Sequence, residues 1–402
     1  MSTAVALPND VEEIMPGLIA DRRWLHEHPE LGMQEYQTAQ FVTERLQALG
    51  VEDIRTGISE TGITALVRGT GTGPGTDKVV LLRADMDALP IDEENDVDYK
   101  SQTEGIMHAC GHDGHTAMLL ATTRLLMERR REFAGTVKVL FQPSEETGPG
   151  GAAWMIEQGV LEDPHVDAVF GLHLGQDMPL GTIAVRSGPA MSSAQGFRTR
   201  VQGKGGHGAA PHLAADPIVA AASMIVQLQS IVSRNVNPRE AAVLTIGTIQ
   251  GGKAANVIPD SVEFAATFRT YSTEVQTLVR ERATAIMERI ADAMGVSVEI
   301  EMSAGLPAVV NDHAMAEIVR GAARKIVGEA HVIAGEPHPA SEDFSYFLNE
   351  RPGCYFFIGS RNEEKGLIWG HHHPKFDFDE EALGIGTATM TQTAIDFFAN
   401  VG

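Results

Sequence analysis

Cysteine and long apolar segments are scarce in this sequence. Only Cys110 and Cys354 are present among 402 residues, which excludes a framework of disulfide bonds. No apolar run reaches the roughly 18 residues that a membrane span requires. The first residues, MSTAVALPNDVEE, lack the basic segment and apolar core of a secretory signal. We therefore expect a cytoplasmic protein without a membrane partner.

Positive charge is also in short supply. The chain has 31 Lys and Arg against 54 Asp and Glu, which gives a formal net charge of −23. Nucleic-acid binding needs clustered basic side chains that neutralise phosphates, so no nucleic-acid partner is expected. An acidic chain of this length indicates a two-domain protein that acts on a small, diffusible molecule.

Apolar strands alternate with helices in the first and last parts of the chain. This alternation predicts an α/β domain with a mostly parallel sheet, formed by residues 1–189 and 304–402. The predicted strands are Ile63–Val67, Val79–Ala84, Thr136–Phe141, Ala168–Leu172 and Cys354–Ile358. The predicted helices are 11–28, 34–49, Asp113–Arg130, His313–Val327 and a last helix after Asp379.

The segment between these two parts has a different pattern. Its elements follow the order β-α-β-β-α-β, which is typical of a ferredoxin-like unit. We therefore predict an inserted domain over residues 190–303. Its strands are Phe197–Val201, Ala242–Ile249, Val262–Phe268 and Val298–Met302, and its helices are Pro217–Val232 and 274–294.

Side chains that bind metals cluster at the carboxyl ends of the predicted strands. Asp85 and Asp87 follow one strand, Glu145 and Glu146 follow another, and His173 ends a third. Ligands of open α/β sheets bind at this edge, so these segments can meet in one crevice. Each segment alone also has a simpler interpretation: a solvated strand end, a pair of helix-capping glutamates, and a buried core histidine.

Two further segments are rich in histidine. The segment MHACGHDGH places Cys110 and His112 just before a helix, and a thiol two residues from an imidazole is typical of metal coordination. The late segment WGHHHPKFDFDE contains His371, His372 and His373, which favours a ligand loop. Together the segments supply thiolate, imidazole and carboxylate ligands suited to zinc, manganese, cobalt or nickel.

The paired glutamates suggest a division of labour. One of Glu145 and Glu146 would bind the metal, and its neighbour would take a proton from metal-bound water. A bound dication lowers the pKa of that water from 15.7 to about 7. The chemistry predicted from these residues is hydrolysis of a carbonyl or phosphoryl bond.

The inserted segment carries polar residues of its own. His207 lies in the glycine-rich GKGGHGAAPH, Asn256 in GGKAANVIPD, and Arg269 at the end of EFAATFR. An imidazole or amide donor can stabilise an oxyanion, and Arg matches a carboxylate through its bidentate fork. The alternatives are a loop cap for His207 and a surface ion pair for Arg269.

The motifs, taken in order, resemble one family over nearly the whole chain. They are RRWLHEHPELG, RADMDALP, MHACGHDGH, PSEE, GLH, GGHGAAPH, NVIPD, SEDFSYF and HHP. The chain resembles the metal-dependent aminoacylase and carboxypeptidase family, in the branch of hippurate hydrolases, N-acyl-amino-acid amidohydrolases and auxin-conjugate hydrolases. The resemblance implies a catalytic domain with two divalent metal ions per subunit. It also implies that the inserted domain serves as a lid and forms a homodimer or a higher homo-oligomer.

The same resemblance implies roles for individual residues. Glu145 matches the general base, and Asp87 matches the aspartate that orients a ligand. His207 matches a histidine that binds the substrate carbonyl, often in the neighbouring subunit's site, while Asn256 and Arg269 match substrate-binding positions. The metal ligands implied by the motifs are Cys110, His112, Glu146, His173 and His372.

Two positions depart from the wider family. Asp85 stands where the wider family usually has a histidine, and Cys110 stands where it has a bridging aspartate. Both departures are normal for the hippurate-hydrolase branch. A thiolate is a softer ligand than a carboxylate, so the metal itself stays open.

The predicted reaction is hydrolysis of the amide bond of N-acyl amino acids, which releases a carboxylic acid and an amino acid. A dipeptidase or carboxypeptidase, or an N-acetyl-diaminopimelate-type deacetylase, would use the same residues. A phosphotransferase built on Asp85 and Asp87 would not need Cys110 and His112, and a zinc base deaminase would need a P-C-x-x-C motif that is absent. A non-catalytic metal-binding protein would not need the base, whereas Glu145 is present.

Overall fold

The computed structural model describes residues 5–148 and 150–400, which divide into two compact units. Unit 1 comprises the described residues of Met1–Gly188, Asn311–Glu336 and Asp343–Gly402. Unit 2 comprises Pro189–Val310 and Pro337–Glu342, so it is inserted into the chain of unit 1.

Unit 2 extends beyond the predicted insertion over residues 190–303. It continues to Val310 and also includes the later segment Pro337–Glu342. The segment 337–342 belongs to it because Met191 forms a β-bridge with His338. The backbone N–H of Ser192 also donates to the carbonyls of His338 and Ala340. Pairing between segments distant in the sequence leaves no signal in local periodicity.

The described α-helices are nine in number and are numbered in chain order. They are α1 Asn9–Glu27, α2 Tyr36–Ala48, α3 His112–Glu128, α4 Gly151–Glu157, α5 Pro217–Ser230, α6 Thr273–Met294, α7 His313–Val327, α8 Ser345–Glu350 and α9 Glu381–Asn400.

The described strands are likewise numbered in chain order. They are β1 Glu52–Ile58, β2 Gly62–Arg68, β3 Val79–Asp85, β4 Thr136–Gln142, β5 Ala168–Pro179, β6 Ile183–Ala184, β7 Gly188–Met191, β8 Gln195–Gln202, β9 Gly206–His207, β10 Ala242–Gly251, β11 Val257–Ile258, β12 Ser261–Thr270, β13 Ser297–Met302, β14 Val309–Asn311, β15 Val332–Ile333 and β16 Gly353–Arg361.

Unit 1 is built on a sheet with the strand order β1-β2-β4-β3-β5-β16-β6-β15. Its central strands β4, β3, β5 and β16 run parallel to one another, whereas β2 and β6 pair antiparallel with β4 and β16. They are apolar along most of their length, as strands covered on both faces must be. The predicted α/β fold with a mostly parallel sheet is confirmed.

No apolar alternation in the sequence predicts β1, although the structure contains it. The strand lies at the edge of the sheet, pairs antiparallel with β2, and is largely exposed. An edge strand covered on little of its surface needs no apolar face. Its existence follows from pairing with β2 rather than from its own pattern.

A buried ionic network joins α1 to the first turn of α3. The Arg22 guanidinium is fully buried, and it donates to Asp113 Oδ2 at 2.8 Å and to Asp377 Oδ1 at 2.9 Å. His26 Nδ1 lies 2.8 Å from the same oxygen of Asp113. Burial opposes the charged form of Arg22, but these carboxylates raise its pKa above its usual value. The network anchors the start of α3, where His112 lies.

Arg22→Met is expected to destabilise unit 1 strongly because it leaves Asp113 and Asp377 buried without their cation. Breaking a buried pair in this way costs about 3–5 kcal/mol. The matched control is Arg23→Met, whose half-exposed ion pair with Glu380 is worth under about 1 kcal/mol. All three tryptophans of the chain lie in unit 1, so urea unfolding followed by tryptophan fluorescence reports on this unit. Equal losses in both variants would contradict the prediction.

Unit 2 has the ferredoxin-like element order β8-α5-β10-β12-α6-β13. Its antiparallel sheet has the strand order β10-β12-β8-β13. The apolar side chains of α5 and α6 pack with those of the strands in one core. The two edges differ: β13 carries Glu299 and Glu301, while β10 carries no charged residue.

Helix α5 is strongly apolar. With the π-helical turn that follows it, Pro217–Asn235 is the one described helix long and apolar enough to cross a membrane, with a mean hydropathy of 1.2. Ala220 and Met224 on its inner face are buried in the core of unit 2. A core helix passes the same test of length and composition. Ile218 and Val226 stay exposed, so α5 also has an uncovered apolar face.

Candidate metal centre

The candidate centre lies in unit 1, where β3, β4 and β5 bring their polar residues together. Asp85 is the last residue of β3, and Glu145 follows β4. His173 lies inside β5 rather than at its end, because that strand continues to Pro179 alongside β16. The crevice predicted at the carboxyl edge of the sheet is therefore formed by strand ends together with one mid-strand residue.

Gly111 sets the geometry of the segment between Cys110 and His112. Its φ of +90° lies in the left-handed region that favours glycine, and it is the capping residue before α3. A Cβ at this position would also lie 3.1 Å from Leu174 Cδ1. The turn places Cys110 and His112 at the N-terminus of α3, where the helix dipole favours a thiolate.

Two sets of ligand atoms share the Cys110 thiol. One set is Cys110, His112 and His173, and the other is Cys110, Glu146 and His372, with all atoms of a set within 4.8 Å of one another. Cys110 Sγ lies 3.5 Å from His173 Nε2, and His372 Nε2 lies 3.1 Å from Glu146 Oε1. These separations are close to the edge of a coordination tetrahedron with bonds of about 2.0–2.3 Å, roughly 3.3–3.8 Å.

Hydrogen bonds set the tautomers of two of these histidines. His112 Nδ1 donates to the carbonyl and carboxylate of Asp87 at 2.9 and 3.2 Å, and His173 Nδ1 donates to the Leu174 carbonyl at 2.7 Å. Because a carbonyl oxygen only accepts, the proton sits on Nδ1 and the Nε2 lone pair faces the centre. Among the described residues, His112 Nε2 is buried without a hydrogen-bond partner, as expected of an atom that holds a metal.

The electrostatics of the centre also fit a cation. Burial, Glu146, Glu145 and Asp85 raise the pKa of the Cys110 thiol well above its usual value. Thiolate and carboxylates crowded into a buried site repel one another unless a positive charge lies among them. The donor atoms and their charges therefore fit two divalent ions that share Cys110.

Asp85 and His115 form a further group of possible ligand atoms with His112, but each is also held by hydrogen bonds. His115 Nδ1 donates to Asp85 Oδ1 at 2.6 Å, and His115 Nε2 accepts from the Leu174 N–H at 3.0 Å. The second oxygen of Asp85 accepts from Arg83 at 2.6 Å. Against the effect of burial, His112, Arg83 and His115 hold the pKa of Asp85 well below its usual range. The interpretation of Asp85 as a solvated strand end is wrong because its side chain is fully buried.

His112→Ala and His115→Gln should therefore differ in metal content. Removal of the free Nε2 of His112 should lower the metal bound per folded chain. Removal of His115 takes away a structural hydrogen bond and should leave metal content unchanged. Elemental analysis of the folded fraction of each variant makes the comparison, and equal metal loss in both would place His115 among the ligands.

The two glutamates lie in a turn with unusual backbone geometry. Ser144 has a φ of +57°, and Glu146 N donates to Asp87 Oδ2 at 3.0 Å. Glu145 Oε1 accepts from the N–H of Asp343 at 3.4 Å. Helix α4 begins only at Gly151, so the alternative interpretation of the glutamates as a helix cap is wrong.

The late histidine run separates into three environments. His372 has a φ of +64°, and its N–H donates to the Ala109 carbonyl at 2.8 Å, which brings its ring to Glu146. His371 Nε2 instead accepts from the Gln176 N–H at 3.4 Å, and His373 stacks on Trp369. The middle histidine is the one that joins the ligand set.

In unit 2 the structure brings together two of the three predicted residues. His207 pairs with Val257 between β9 and β11, and Gly208 N donates to the Asn256 carbonyl at 2.8 Å. Arg269 lies near the other end of β12, and the strand from Ser261 to Arg269 spans roughly 26 Å at the usual rise. Within unit 2, His207 and Arg269 are therefore far apart.

The contacts of His207 and Arg269 bear on their alternatives. His207 Nδ1 accepts from the Ala209 N–H at 3.0 Å, which leaves the proton of the neutral ring on the exposed Nε2. Among the residues that the structure describes, Arg269 has no ion-pair partner, so a surface ion pair is not what the structure contains. His207 therefore has an exposed Nε2–H that can donate a hydrogen bond, and the guanidinium of Arg269 can bind an anionic group.

Comparison with known proteins agrees with this architecture. The family model "Peptidase family M20/M25/M40" matches residues 81–396. The chain belongs to this family. It is a hydrolase, and the resemblance to metal-dependent aminoacylases and carboxypeptidases is confirmed.

Three similar proteins span nearly the whole chain. N-acetyl-L-cysteine deacetylase of Bacillus subtilis is 42% identical over 94% of this chain and 87% of its own length. IAA-amino acid hydrolase ILR1-like 4 of Arabidopsis thaliana is 38% identical over 97% of this chain and 87% of its own length. The solved structure of Bacillus subtilis YXEP protein, described as a dinuclear metal-binding peptidase from the M20 family, is 35% identical with a TM-score of 0.83. It covers 96% of this chain, which in turn covers 99% of it.

Sequence reasoning left three residues around this centre without a role. They are Arg83, His115 and Glu35, all of which are buried. Arg83 and His115 lie inside quoted motifs and Glu35 lies three residues after one, but a motif does not tell which side chains turn inward. Which charged side chains become buried beside the centre depends on packing partners that lie far away in the sequence.

Proposed function

We propose that the protein hydrolyses the amide bond of N-acyl amino acids and releases a carboxylic acid and an amino acid. The observation that carries the proposal is the pair of ligand sets that share Cys110, with Glu145 next to Glu146 in the adjoining turn. The relatives named as an N-acetylcysteine deacetylase and an auxin-conjugate hydrolase support this substrate class. We further propose that it acts in the cytoplasm.

Five residues would hold the two divalent ions, which we expect to be zinc, manganese, cobalt or nickel. When bound, such an ion supplies Lewis acidity and makes water acidic enough to react near neutral pH. Asp87 orients His112 through Nδ1 and holds the Glu146 backbone through Oδ2. The five are Cys110, His112, Glu146, His173 and His372.

Glu145 would act as the general base and then as the general acid. Its carboxylate belongs to neither set that contains Cys110, but it lies within 4.8 Å of the ligand atoms of His112 and Glu146, beside the proposed centre. It takes a proton from the water that attacks the amide carbon and passes it to the leaving amine nitrogen. An amide nitrogen leaves only after it gains this proton.

Unit 2 would supply the groups that bind the substrate. The Nε2–H of His207 can donate to the oxyanion, and Asn256 beside it can hold the substrate amide. Arg269 can bind the α-carboxylate through its fork. We therefore propose unit 1 as the catalytic domain and unit 2 as a lid and dimerisation domain.

The second candidate is a dipeptidase or carboxypeptidase with the same site. It is favoured by the description of the similar YXEP protein as a peptidase. A deacetylase for N-acetyl-diaminopimelate stays a narrower alternative. Rates on N-acyl amino acids, dipeptides and acylated diaminopimelate, measured with one metal-loaded sample, distinguish the three.

Glu145→Gln should lower kcat by about 10²–10⁴ because an amide cannot accept the proton of water. Metal content should not change, since the five proposed ligands stay in place and Gln keeps the size of Glu. Steady-state kinetics with elemental analysis of the same sample test the base assignment. Turnover near that of the unaltered protein in the metal-replete variant would overturn it.

We also propose a homodimer formed through unit 2. The edge strand β10 carries no charge, exposes Val243 and Ile249, and contacts α5, which also has exposed apolar residues. An uncharged edge invites pairing with another strand, while the glutamates of β13 protect the opposite edge. Pairing of β10 with a second copy across a two-fold axis would cover both features. It would also let His207 serve a site other than that of its own chain.

Mixing two inactive variants tests this arrangement. His207→Ala lacks the lid donor, and Glu145→Gln lacks the base. If His207 completes the partner's site, a mixed dimer has one site with both defects and one with neither. Activity should then recover to roughly a quarter of the unaltered level by random pairing. Confirmed subunit exchange without recovered activity would mean that His207 does not act across the dimer.

A further inference from the structure

Glu35 is a fully buried carboxylate that the proposed mechanism does not use. It stands at the capping position of α2, yet its side chain makes no capping hydrogen bond. Glu30 does this instead, accepting from the N–H groups of Gln37 and Thr38 at 3.1 and 2.9 Å. The carboxylate of Glu35 is therefore not required to begin the helix, and it points into the interior of unit 1.

Its two oxygens contact two different segments. Oε1 accepts from the Ser144 N–H at 2.8 Å, and Oε2 accepts from the Thr61 hydroxyl at 2.6 Å. Asp87 Oδ2 accepts from the Glu146 N–H at 3.0 Å. Two buried carboxylates thus hold alternate N–H groups of one turn, on either side of Glu145.

The turn needs such support because its backbone is strained. Ser144 has a φ of +57°, which residues with a side chain rarely adopt unless their surroundings enforce it. Gly32 packs directly against it, since a Cβ there would lie 2.8 Å from Ser144 Oγ. The segment from Gly32 to Glu35 braces the turn by shape and by hydrogen bonding.

We propose that Glu35 is a positioning residue that holds the turn Ser144–Glu146 and thereby aims the carboxylate of Glu145. The proposal rests on the proposed role of Glu145 as the base. Glu35 does not touch the reacting atoms, so its effect passes through the backbone N–H of Ser144.

A glutamine at this position should preserve the function. Burial, with a contribution from Asp87, raises the pKa of Glu35 to about 7 against the hydrogen bond from Thr61. An uncharged side chain is therefore tolerated here near neutral pH. The amide oxygen of Gln can accept from Ser144 N–H, while its NH₂ group donates to Thr61 Oγ, whose hydroxyl then turns away. Alanine can make neither contact.

Hydrogen–deuterium exchange tests the proposal without a substrate. The full-length protein is loaded with Mn²⁺ as unaltered chain, Glu35→Ala, Glu35→Gln and the control Glu30→Ala. In Glu35→Ala the peptide that covers residues 143–148 should exchange about 10–100-fold faster, the range for loss of a hydrogen bond to a charged group. Glu35→Gln should match the unaltered chain, and Glu30→Ala should expose only the start of α2. A protected turn in Glu35→Ala would overturn the proposal.

A second variant covers the case in which Glu35→Ala does not fold. Gly32→Ala places a methyl group against Ser144 without leaving a buried polar group unpaired. It should also speed exchange in the turn while the rest of unit 1 stays protected. Unchanged exchange in a folded Gly32→Ala protein would contradict the bracing of the turn.

Kinetics then connect the turn to the chemistry. Glu35→Ala should lower kcat with little change in KM or metal content, and Glu35→Gln should restore kcat. A fall in kcat with an unopened turn would overturn the positioning role. If Glu145→Gln retains turnover, the proposed base is wrong, but the exchange result still decides whether Glu35 holds the turn.

Discussion

The constraint on which unit 1 depends is the repulsion among acidic groups buried at one edge of its sheet. Cys110, Glu145, Glu146 and Asp85 lie close enough that the pKa of the thiol is raised well above its usual value. Such a group of acidic side chains is stabilised by cations among them and by hydrogen bonds that fix their positions. Much of the surrounding structure serves this requirement.

The supporting contacts form layers around the centre. Asp87 fixes His112 and the Glu146 backbone, while Asp85 is held by Arg83 and His115. Further out, the Arg22 network anchors the first turn of α3, where His112 begins the helix. Two non-glycine residues with a positive φ, Ser144 and His372, lie in segments that carry proposed ligands or the proposed base. Backbone strain at these two positions helps to aim the side chains of the site.

Unit 2 has a different role in the proposed mechanism, in which it presents substrate-binding groups and pairs through the edge of its sheet. Its element order was predictable from periodicity, since alternating apolar residues and a four-residue helical spacing are local signals. The distance between His207 and Arg269 along β12 was not, because it depends on which strand ends meet.

The sequence by itself determined the α/β class, the ferredoxin-like insertion, the hydrolase family and the residues Cys110, His112, Glu146 and His173 as candidate ligands. The motifs and strand ends are enough to predict these features because residue type and spacing are local properties of the sequence. Only the tertiary structure decided that Asp85 and His115 bond to each other and that β1 completes the sheet edge, while the contact of His372 with Glu146 agrees with the ligand implied by the family resemblance. The role proposed for Glu35 has the same origin, since Glu35, Thr61 and Ser144 meet only after the chain has folded.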